Sequence, residues 1–511
     1  MQIKKLSAAC AVALAGLSAP AFALTAFETP DLKVYLTGAS APDNFLATIA
    51  SGMFVGTKGT DWFAYIDNGD GKQQRAFFGV MKGVADGVPT NLVGKKVLFI
   101  KRSTGGSVFG VNPVARAEDL AVLKIAANTA PPGDPVNGCV ASGVDYVCPV
   151  VGVDSGLGAP TGEEAISDFG VSDVNPALFK EPLNVEFGKT QLSPAEVAGM
   201  IVKPVNVLAM GYAVTNTVPA TTYFSKAIYG ALISGNLKTW SKVNVTMPAG
   251  KNQVLVCRRV PGSGTQTSYN WYFNNFPCSV DSIAGSGNTQ PSRMSDSFGY
   301  QATGDGSAGD PFTIDPTAGY TVIENSTSGN VRDCLTKAAN GGTHTFIDEE
   351  GKNYSVDFGT GGYGAVGILS VDSLPKNTAA TPTPLEGSVD PATGLGFSFR
   401  GEDGASAMWD AVPGSGTTTV ATTGTTGVLP TKQNLIDGKY EFAVELTMQY
   451  RNTLTGLKKE FVDFFIARAG QPTFNTNPWV AALPPTYTPP TADVAKGTHN
   501  GNMCAPLQLL F

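Results

Sequence analysis

Two adjacent arginines followed by a glycine-rich turn form the segment with the clearest potential for chemistry. The apolar run over residues 254–257 predicts a strand that ends in Arg258 and Arg259. Gly262-Ser263-Gly264-Thr265 then predicts a tight turn, and an aromatic-rich helix is expected over 266–276. Backbone N–H groups at a helix start, turn hydroxyls and a guanidinium together can hold an anion. Taken alone, the segment fits a surface turn with a solvated arginine pair equally well.

Three other predicted strands end in residues that suit an anion. Thr37-Gly38-Ala39-Ser40-Ala41-Pro42 follows the first strand, and Ser103-Thr104-Gly105-Gly106 follows the strand over 97–100. Asp173 stands just past a third strand. Ligands of open α/β sheets bind outside the carboxyl ends of the strands. We therefore expect one crevice to be shared by Ser40, Ser103, Asp173, Arg259, Ser263 and Thr265.

The elements that must position these residues alternate between strand and helix. A strongly apolar strand is expected over 205–214. Helices are expected over 43–54, 114–127, 224–232, 329–339 and 457–469. The alternation predicts α/β lobes with largely parallel sheets. The chain has 511 residues, more than a single core usually serves, which favours two lobes or more.

The first 23 residues have the pattern of a signal peptide. Lys4 and Lys5 precede an apolar stretch from Leu6 to Leu17, and Ala21-Phe22-Ala23 is an A-x-A cleavage site. The stretch is too short to span a membrane as a helix. We therefore expect a mature chain that is exported as a soluble protein to the periplasm, or beyond it to the cell surface or the medium.

Six cysteines remain after the predicted cleavage, since Cys10 is the one of seven that lies in the signal peptide. An even number in an exported chain predicts disulfide bonds. The candidates are Cys139, Cys148, Cys257, Cys278, Cys334 and Cys504. The sequence does not fix their connectivity. Short separations favour Cys139–Cys148 and Cys257–Cys278, and Cys334–Cys504 would then tie the tail to the body.

The composition argues against a nucleic-acid-binding protein. The formal charge of the chain is −7 at pH 7, and it becomes −9 once Lys4 and Lys5 are removed. Only 15% of the residues are charged. Such a chain lacks the basic surface that nucleic acids require. An anion ligand would depend on local positive charge, because the overall field does not attract it.

The order of the motifs resembles the periplasmic phosphate-binding proteins of ABC transporters. Six segments carry the likeness in the family's order: 36–42 (L-T-G-A-x-A), 103–106 (S-S-G-G), 168–173 (D-F-G-A-S-D), 229–240 (I-x-x-G-K-I-x-x-W), 258–265 (R-R-x-D-G-S-G-T) and 364–367 (G-x-I-G-Y). Together they span residues 34 to about 370, and 440–471 extends the likeness weakly.

This resemblance implies a type II periplasmic binding protein fold: a two-lobed α/β architecture with mixed, mainly parallel sheets and long loop insertions. Lobe 1 would be discontinuous, over 24–204 and 365–511. Lobe 2 would cover 205–364, and hinge strands are expected near 205–212 and 365–370. The loop-rich insertions are expected at 55–95, 109–165, 279–325 and 376–432. Closure of the lobes would align their turns around the ligand.

The resemblance also implies a ligand and a partner. The ligand is phosphate or a similar tetrahedral oxyanion, and the partner is an ABC permease in the inner membrane. The protein would be a monomer that is not an enzyme and uses no cofactor or metal. Carried over by position, the contacts to the anion come from Ser40, Ala41, Ser103, Asp173, Arg259, Ser263, Gly264 and Thr265. An ionised Asp173 can only accept a hydrogen bond, so it selects protonated phosphate over fully ionised sulfate.

Three residues depart from the family pattern. Pro261 stands in place of an aspartate that would neutralise the neighbouring guanidinium. Pro42 and Asp43 replace a polar and aromatic pair at the first helix start. If the Asp43 carboxylate points inward, it adds negative charge close to the proposed anion.

Two other classes of function stay open. The Thr-, Gly- and Pro-rich insertions, the disulfides and the low charge also suit an exported structural or adhesive protein built on the same fold. Catalysis is less favoured because neither His344 nor His499 has a second ligand at metal spacing. No G-x-S-x-G, Walker A or H-E-x-x-H motif is present. A Ser-His-Asp triad that uses His344 is the alternative to an ordinary loop histidine.

Overall fold

The structure is a computed structural model that describes residues 24–69, 73–129, 137–219, 222–279, 300–301, 304–317, 320–373, 396–402, 408–411, 418–421, 427–474, 480–483 and 494–509. The predicted signal peptide lies outside these residues, as do large parts of the insertions at 279–325 and 376–432. In the part of the chain that is described, no helix has the length and apolar character needed to cross a bilayer.

The strands are β1 (Leu32–Gly38), β2 (Trp62–Asp67), β3 (Gln74–Val80), β4 (Lys96–Arg102), β5 (Asp119–Leu120), β6 (Val122–Leu123), β7 (Val140–Ser142), β8 (Asp145–Cys148), β9 (Val150–Val151), β10 (Ala165–Ile166), β11 (Phe169–Ser172), β12 (Met200–Thr215), β13 (Val254–Arg259), β14 (Tyr300–Gln301), β15 (Phe312–Ile314), β16 (Tyr320–Asn325), β17 (Thr343–Ile347), β18 (Asn353–Asp357), β19 (Ala365–Ser370), β20 (Phe397–Arg400), β21 (Met408–Ala411), β22 (Thr418–Ala421), β23 (Ala443–Arg451), β24 (Val480–Ala482), β25 (Gly497–Thr498) and β26 (Gln508–Leu509).

The α-helices are α1 (Asp43–Ser51), α2 (Asn112–Arg116), α3 (Pro194–Ala198), α4 (Lys226–Ile233), α5 (Gly264–Asn274), α6 (Ser328–Asn340), α7 (Lys432–Ile436) and α8 (Gly456–Gly470). Short 3-10 turns occupy Val84–Asp86, Ser107–Gly110, Pro176–Leu178, Trp240–Val243, Val371–Ser373 and Pro472–Phe474.

One mixed sheet of 14 strands dominates the described residues, in the order β16-β13-β19-β12-β23-β11-β1-β4-β3-β2-β8-β7, with β20 and β24 paired to β12. Two parallel groups carry the predicted turns: β11, β1 and β4 form the first group, and β16, β13 and β19 the second. Antiparallel β12 and β23 join them. The predicted mixed α/β class is confirmed, while antiparallel pairs outnumber parallel ones across the sheet as a whole.

Strand β12 brings the two groups together because it is 16 residues long and serves both. Its part from Met200 to Ala209 pairs with β23, and its part from Met210 to Val214 pairs with β19. From Val205 onwards every residue of the strand is buried, as expected for a strand covered on both faces. The turns after β1, β4, β11 and β13 consequently meet at one crevice.

Aromatic and aliphatic side chains from long helices cover the sheet. Phe465 of α8 packs on Phe99 and Phe169 of the first group, with ring centroids 4.9 and 5.7 Å apart. Phe461 of the same helix packs on Phe99, with ring centroids 5.7 Å apart. Ring pairs at these distances add about 0.5–1.5 kcal/mol each beyond their buried area. In the second group, α6 packs against β13 and β19. The parallel strands are therefore rigid supports for the turns at their ends.

The disulfide bonds are Cys139–Cys148, Cys257–Cys334 and Cys278–Cys504. The first prediction is confirmed. The predicted pairs Cys257–Cys278 and Cys334–Cys504 are wrong, because α6 packs on β13 and places Cys334 beside Cys257. Residue 278 lies beyond the far end of α5, where the C-terminal tail approaches. Distance along the chain was a poor guide to distance in space.

All four of the expected insertions contain regular structure in their described parts. The segment 279–325 supplies β16 at the edge of the main sheet, and 376–432 supplies β20, which pairs with β12. The segment 55–95 supplies β2 and β3, which extend the sheet beyond β4, and 109–165 contains the hairpin β7–β8, which the predicted Cys139–Cys148 bond closes. The helix expected over 114–127 is wrong. Helix α2 ends at Arg116 because Ala117 takes a left-handed backbone conformation with φ 54°, and short strands follow.

Candidate oxyanion site

The turn between β13 and α5 buries two hydroxyl groups without partners. Ser263 precedes the helix and is 1% exposed, and Thr265 in the first turn is 0% exposed. Neither hydroxyl has a hydrogen-bond partner among the described residues, and the Ser263 side chain does not cap the helix. A buried unpaired polar group costs about 1–3 kcal/mol. Two of them at the start of an 11-residue helix indicate a place for an anionic ligand.

Arg259 lies at the end of β13 and is 3% exposed. Its Nη1 donates to Ser328 Oγ at 3.1 Å, its Nη2 to the Ser326 carbonyl at 2.7 Å and its Nε to the Asn325 carbonyl at 3.2 Å. Burial lowers the pKa of Arg259 to about 10, and the negative charge of Asp173 opposes this shift. The guanidinium is therefore charged at neutral pH and fixed in place.

Uncharged oxygens hold Arg259, and the nearby residue Pro261 offers no carboxylate to the guanidinium. The acceptor residue Asn325 is itself fixed, because its Oδ1 lies 2.9 Å from His344 Nε2. The other ring nitrogen of His344 lies 2.6 Å from Asp333 Oδ2. Both ring nitrogens are thus engaged away from any serine, so His344 positions Asn325 and does not form the triad that the sequence left open.

Asp173 faces the crevice from the end of β11 and is 2% exposed. Its Oδ2 accepts a hydrogen bond from Ser107 Oγ at 3.1 Å, and its Oδ1 has no partner in the described part of the chain. Burial raises the pKa of Asp173 to about 6, while the Ser107 bond and the charges of Arg259 and Lys101 act to lower it. At pH 7 the side chain is mostly ionised and presents one buried, unpaired acceptor.

The turns of the two groups touch where the crevice closes. A Cβ atom on Gly264 would lie 2.2 Å from Ser107 Oγ and 2.8 Å from Asp173 Cβ. A Cβ atom on Gly106, whose φ is 73°, would lie 3.2 Å from Arg259 Nη2. Glycine at these two positions is what allows the backbones to approach so closely.

A backbone hydrogen bond also joins the turns of the two groups. The Val108 N–H donates to the Gly262 carbonyl at 3.0 Å. The structure therefore shows the crevice in a closed form.

The remaining predicted residues lie at the first-group edge of the crevice. Ser40 Oγ is 3.3 Å from Ser328 Oγ, and the Ala41 carbonyl accepts from Ser370 Oγ at 3.3 Å. Ser103 Oγ donates to the Asp43 carboxylate, with distances of 2.9 and 2.8 Å to its two oxygens. Asp43 thus takes the inward orientation that the sequence left open, and Ser103 is engaged with it.

Four side chains of the site were missed from the sequence: Lys101, Ser107, Asn325 and Ser328. Lys101 is 4% exposed and follows Val97 and Phe99 on the buried face of β4. A lysine in phase with the buried residues of a strand was a usable signal. Ser107, Asn325 and Ser328 gave no such signal in the sequence. Ser107 and Ser328 reach the site because turns that are distant in sequence come into contact.

The ring nitrogens of the two histidines contact groups outside the anion turns. Among the residues described, no three His, Cys, Asp or Glu side chains are grouped to hold a metal ion. His499 lies on the C-terminal tail, where its Nδ1 is 2.7 Å from the Ala505 carbonyl.

Comparison with known proteins gives distant similarities to solved structures. Neither protein-family models nor curated proteins give a match. A protein from Clostridium perfringens assigned as a phosphate ABC transporter substrate-binding protein, solved with bound phosphate, is 12% identical with a TM-score of 0.35, over 84% of this chain and 92% of that one. An ABC-type phosphate transport receptor from Vibrio cholerae is 9% identical with a TM-score of 0.33, over 84% and 93%. PstS from Borrelia burgdorferi is 10% identical with a TM-score of 0.31, over 86% and 98%.

Proposed function

We propose that the protein binds phosphate, or a similar small tetrahedral oxyanion, in the crevice between the two parallel groups. The observation that carries this proposal is the pair of buried, unpaired hydroxyls on Ser263 and Thr265 beside the fixed charge of Arg259. A tetrahedral oxyanion supplies acceptors in several directions, and both the guanidinium and the helix start favour its negative charge.

Asp173 gives the proposal its preference for phosphate. Its Oδ1 is buried without a donor, and an ionised carboxylate can pair only with an oxygen that carries a proton. Phosphate retains a proton at neutral pH and sulfate does not. Sulfate would therefore leave the acceptor unpaired and face its charge, a difference of about 1–3 kcal/mol or more in favour of phosphate.

The wider role follows the same proposal. The chain would act as an exported, monomeric solute-binding protein that releases its ligand to an ABC permease and uses no cofactor. Lobe 1 would comprise 24–204 and 365–511, and lobe 2 would comprise 205–364. Strands β12 and β19 pair across the join between the two groups, which suits them to act as the hinge.

Titration calorimetry with phosphate and with sulfate tests this function. We expect heat and saturation with phosphate and a much weaker response with sulfate. Arg259→Ala should reduce phosphate affinity by at least about 100-fold, since a charge-assisted contact in a buried site is lost. Absence of phosphate binding by the folded wild type would overturn the proposal.

Arg258→Ala is the matched control for that titration. Arg258 is the neighbouring arginine on β13, is 4% exposed and pairs with the buried Glu324 on the opposite face of the strand. Its removal should lower stability but leave the affinity of the folded protein for phosphate within a few-fold of wild type. Equal losses of affinity in the two variants would show that Arg259 is not the inward-facing residue.

A structural or adhesive role on the same fold is the second candidate. The observation in its favour is the Cys278–Cys504 bond, which ties α5 to a C-terminal tail that also binds Asn175 and Glu445 near the first group. Such a link opposes wide opening of the crevice. Recovery of the protein from the cell surface, together with no response to phosphate, would favour this role.

A further inference from the structure

The carboxylate of Asp43 lies where an anion would contact the first-group half of the crevice, which we define as Asp43, Lys101 and Ser103. Its oxygens are 2.9 and 2.8 Å from Ser103 Oγ, and its Oδ1 is 2.7 Å from Lys101 Nζ. The side chains of Lys101 and Asp43 are 5% and 16% exposed. A hydroxyl and an ammonium around a carboxylate are the contacts that a ligand oxyanion would otherwise take.

The donors of this half are already engaged. A serine hydroxyl carries one proton, and the proton of Ser103 is donated to Asp43. The Lys101 ammonium donates to Ser103 Oγ, and to the carbonyls of Gly38 at 3.2 Å and Ala39 at 2.6 Å. A ligand could not use Ser103 without displacing Asp43.

The second-group half, Arg259, Ser263, Gly264 and Thr265, differs in this respect. Two hydroxyls there have no partner among the described residues, and no carboxylate is hydrogen-bonded to the guanidinium. In the first-group half of the crevice, the hydrogen-bond donors already have partners within the protein. In the second-group half, two hydroxyls have none among the described residues. Asp173 lies close enough to both halves for Arg259 and Lys101 to lower its pKa and for Asp43 to raise it.

We propose that Asp43 is a specificity-determining residue that acts as an internal anion. It holds Lys101 and Ser103 and confines the ligand to the second-group half and Asp173. Its negative charge disfavours anions of high charge in the same crevice, so it selects a small oxyanion of low charge. This inference rests on the oxyanion-binding function proposed above.

The test is a calorimetric titration of the full chain with inorganic phosphate, in wild type and in Asp43→Asn. Asparagine keeps the shape of the side chain and an oxygen for Ser103 but removes the charge. We expect Asp43→Asn to bind phosphate at least about tenfold more tightly, because Lys101 then lacks a counter-charge that the ligand can supply.

Two further variants separate this effect from a general loss of an ion pair. Arg102, which follows Lys101 on β4 and points to the opposite face of the strand, pairs with Asp154. Their N and O atoms are 2.5 Å apart, and the side chains are 5% and 14% exposed. Asp154→Asn should therefore leave the phosphate affinity at the wild-type value. In Asp43→Asn/Lys101→Met the gain should disappear, because the cation that attracts the added phosphate is gone.

A crystal structure of wild-type protein with phosphate provides a readout that does not depend on the folding of any variant. We expect phosphate on the second-group half, with Asp43 still bound to Ser103. Displacement of Asp43 by phosphate at Ser103 would overturn the inference, as would unchanged or weaker binding by folded Asp43→Asn. If neither wild type nor Asp43→Asn binds phosphate, the proposed function itself fails.

Discussion

At the scale of residues, Asp173 and Arg259 face one another from different parallel groups, and both are almost fully buried. Burial of either charge alone would be unfavourable. Their mutual attraction offsets part of this cost, yet each is hydrogen-bonded only to neutral groups in the described structure. The arrangement is suited to an added ligand that carries both acceptors and a proton.

Asp173 contributes to the pH dependence of stability, together with Glu186, whose pKa burial raises to about 7. Burial raises the pKa of Asp173 from 3.8 to about 6, so between these values the folded state binds more protons than the unfolded state. The free energy of unfolding therefore falls as the pH rises through this window. Between pH 5 and pH 7.5 the contribution of Asp173 should fall by about 1–2 kcal/mol, as measured by urea unfolding without phosphate.

Asp173→Asn should remove this part of the pH dependence, since asparagine does not titrate in the window. Asp168→Asn is the control, because Asp168 is a buried carboxylate of the same segment that pairs with Lys458 outside the crevice. It should keep the wild-type difference between the two pH values. An unchanged difference in Asp173→Asn would show that Asp173 is not the group that titrates.

The residues of the site divide into those that local sequence reveals and those that it does not. Arg259, Ser263 and Asp173 were predicted because each lies at or just past the end of a recognisable strand, and parallel strands present such ends on one edge. The engagement of Ser103 by Asp43 was not predicted, because it depends on how the start of α1 packs over β4. Only the folded structure shows which partner takes the serine proton.

At the scale of elements, the segment that carries the second-group half was predicted almost completely. Strand β13, the glycine turn and α5 have strong local signals, and they occur within a few residues of the expected bounds. The helix expected over 114–127 does not extend beyond Arg116. The apolar residues after the left-handed Ala117 form short strands instead. Short apolar segments do not distinguish strand from helix when tertiary pairing decides.

The C-terminal tail is the element whose position could not be inferred from local sequence. The Glu445 carboxylate of β23 accepts from Thr498 Oγ1 at 2.6 Å and from the Gly501 N–H at 2.8 Å. Trp271 Nε1 of α5 donates to the Met503 carbonyl at 2.7 Å. The tail therefore runs from β23, one of the strands that join the two groups, to α5, the helix that begins at the turn over 262–265.

Loss of the tail disulfide should be costly. In the chain-entropy description a cross-link stabilises more when it closes a longer loop, and Cys278–Cys504 spans 226 residues where Cys139–Cys148 spans 9. We expect Cys278→Ser/Cys504→Ser to lower the free energy of unfolding by about 5 kcal/mol and Cys139→Ser/Cys148→Ser by about 2–3 kcal/mol. Urea unfolding followed by tryptophan fluorescence measures both, and equal losses would contradict this description of the tail.

At the scale of the whole molecule, a single sheet runs through both parallel groups, and the crevice between their turns is closed. The α/β class follows from the alternation of apolar runs with amphipathic ones, and it was predictable. The antiparallel join through β12 and β23 was not, because it pairs segments more than 200 residues apart. Under the proposed function, a ligand would enter while the turns at Gly106 and Gly264 are apart, and binding would require motion of one group against the other.

The position of a bound oxyanion is the most direct measure of the proposed site. Arsenate has the shape and charge of phosphate, and arsenic gives an anomalous signal that locates it without ambiguity in a crystal. We predict a single strong arsenic peak within contact distance of Arg259, Ser263, Thr265 and the free oxygen of Asp173. Arsenic found only at surface lysines, with the crevice closed and empty, would contradict oxyanion binding at this site.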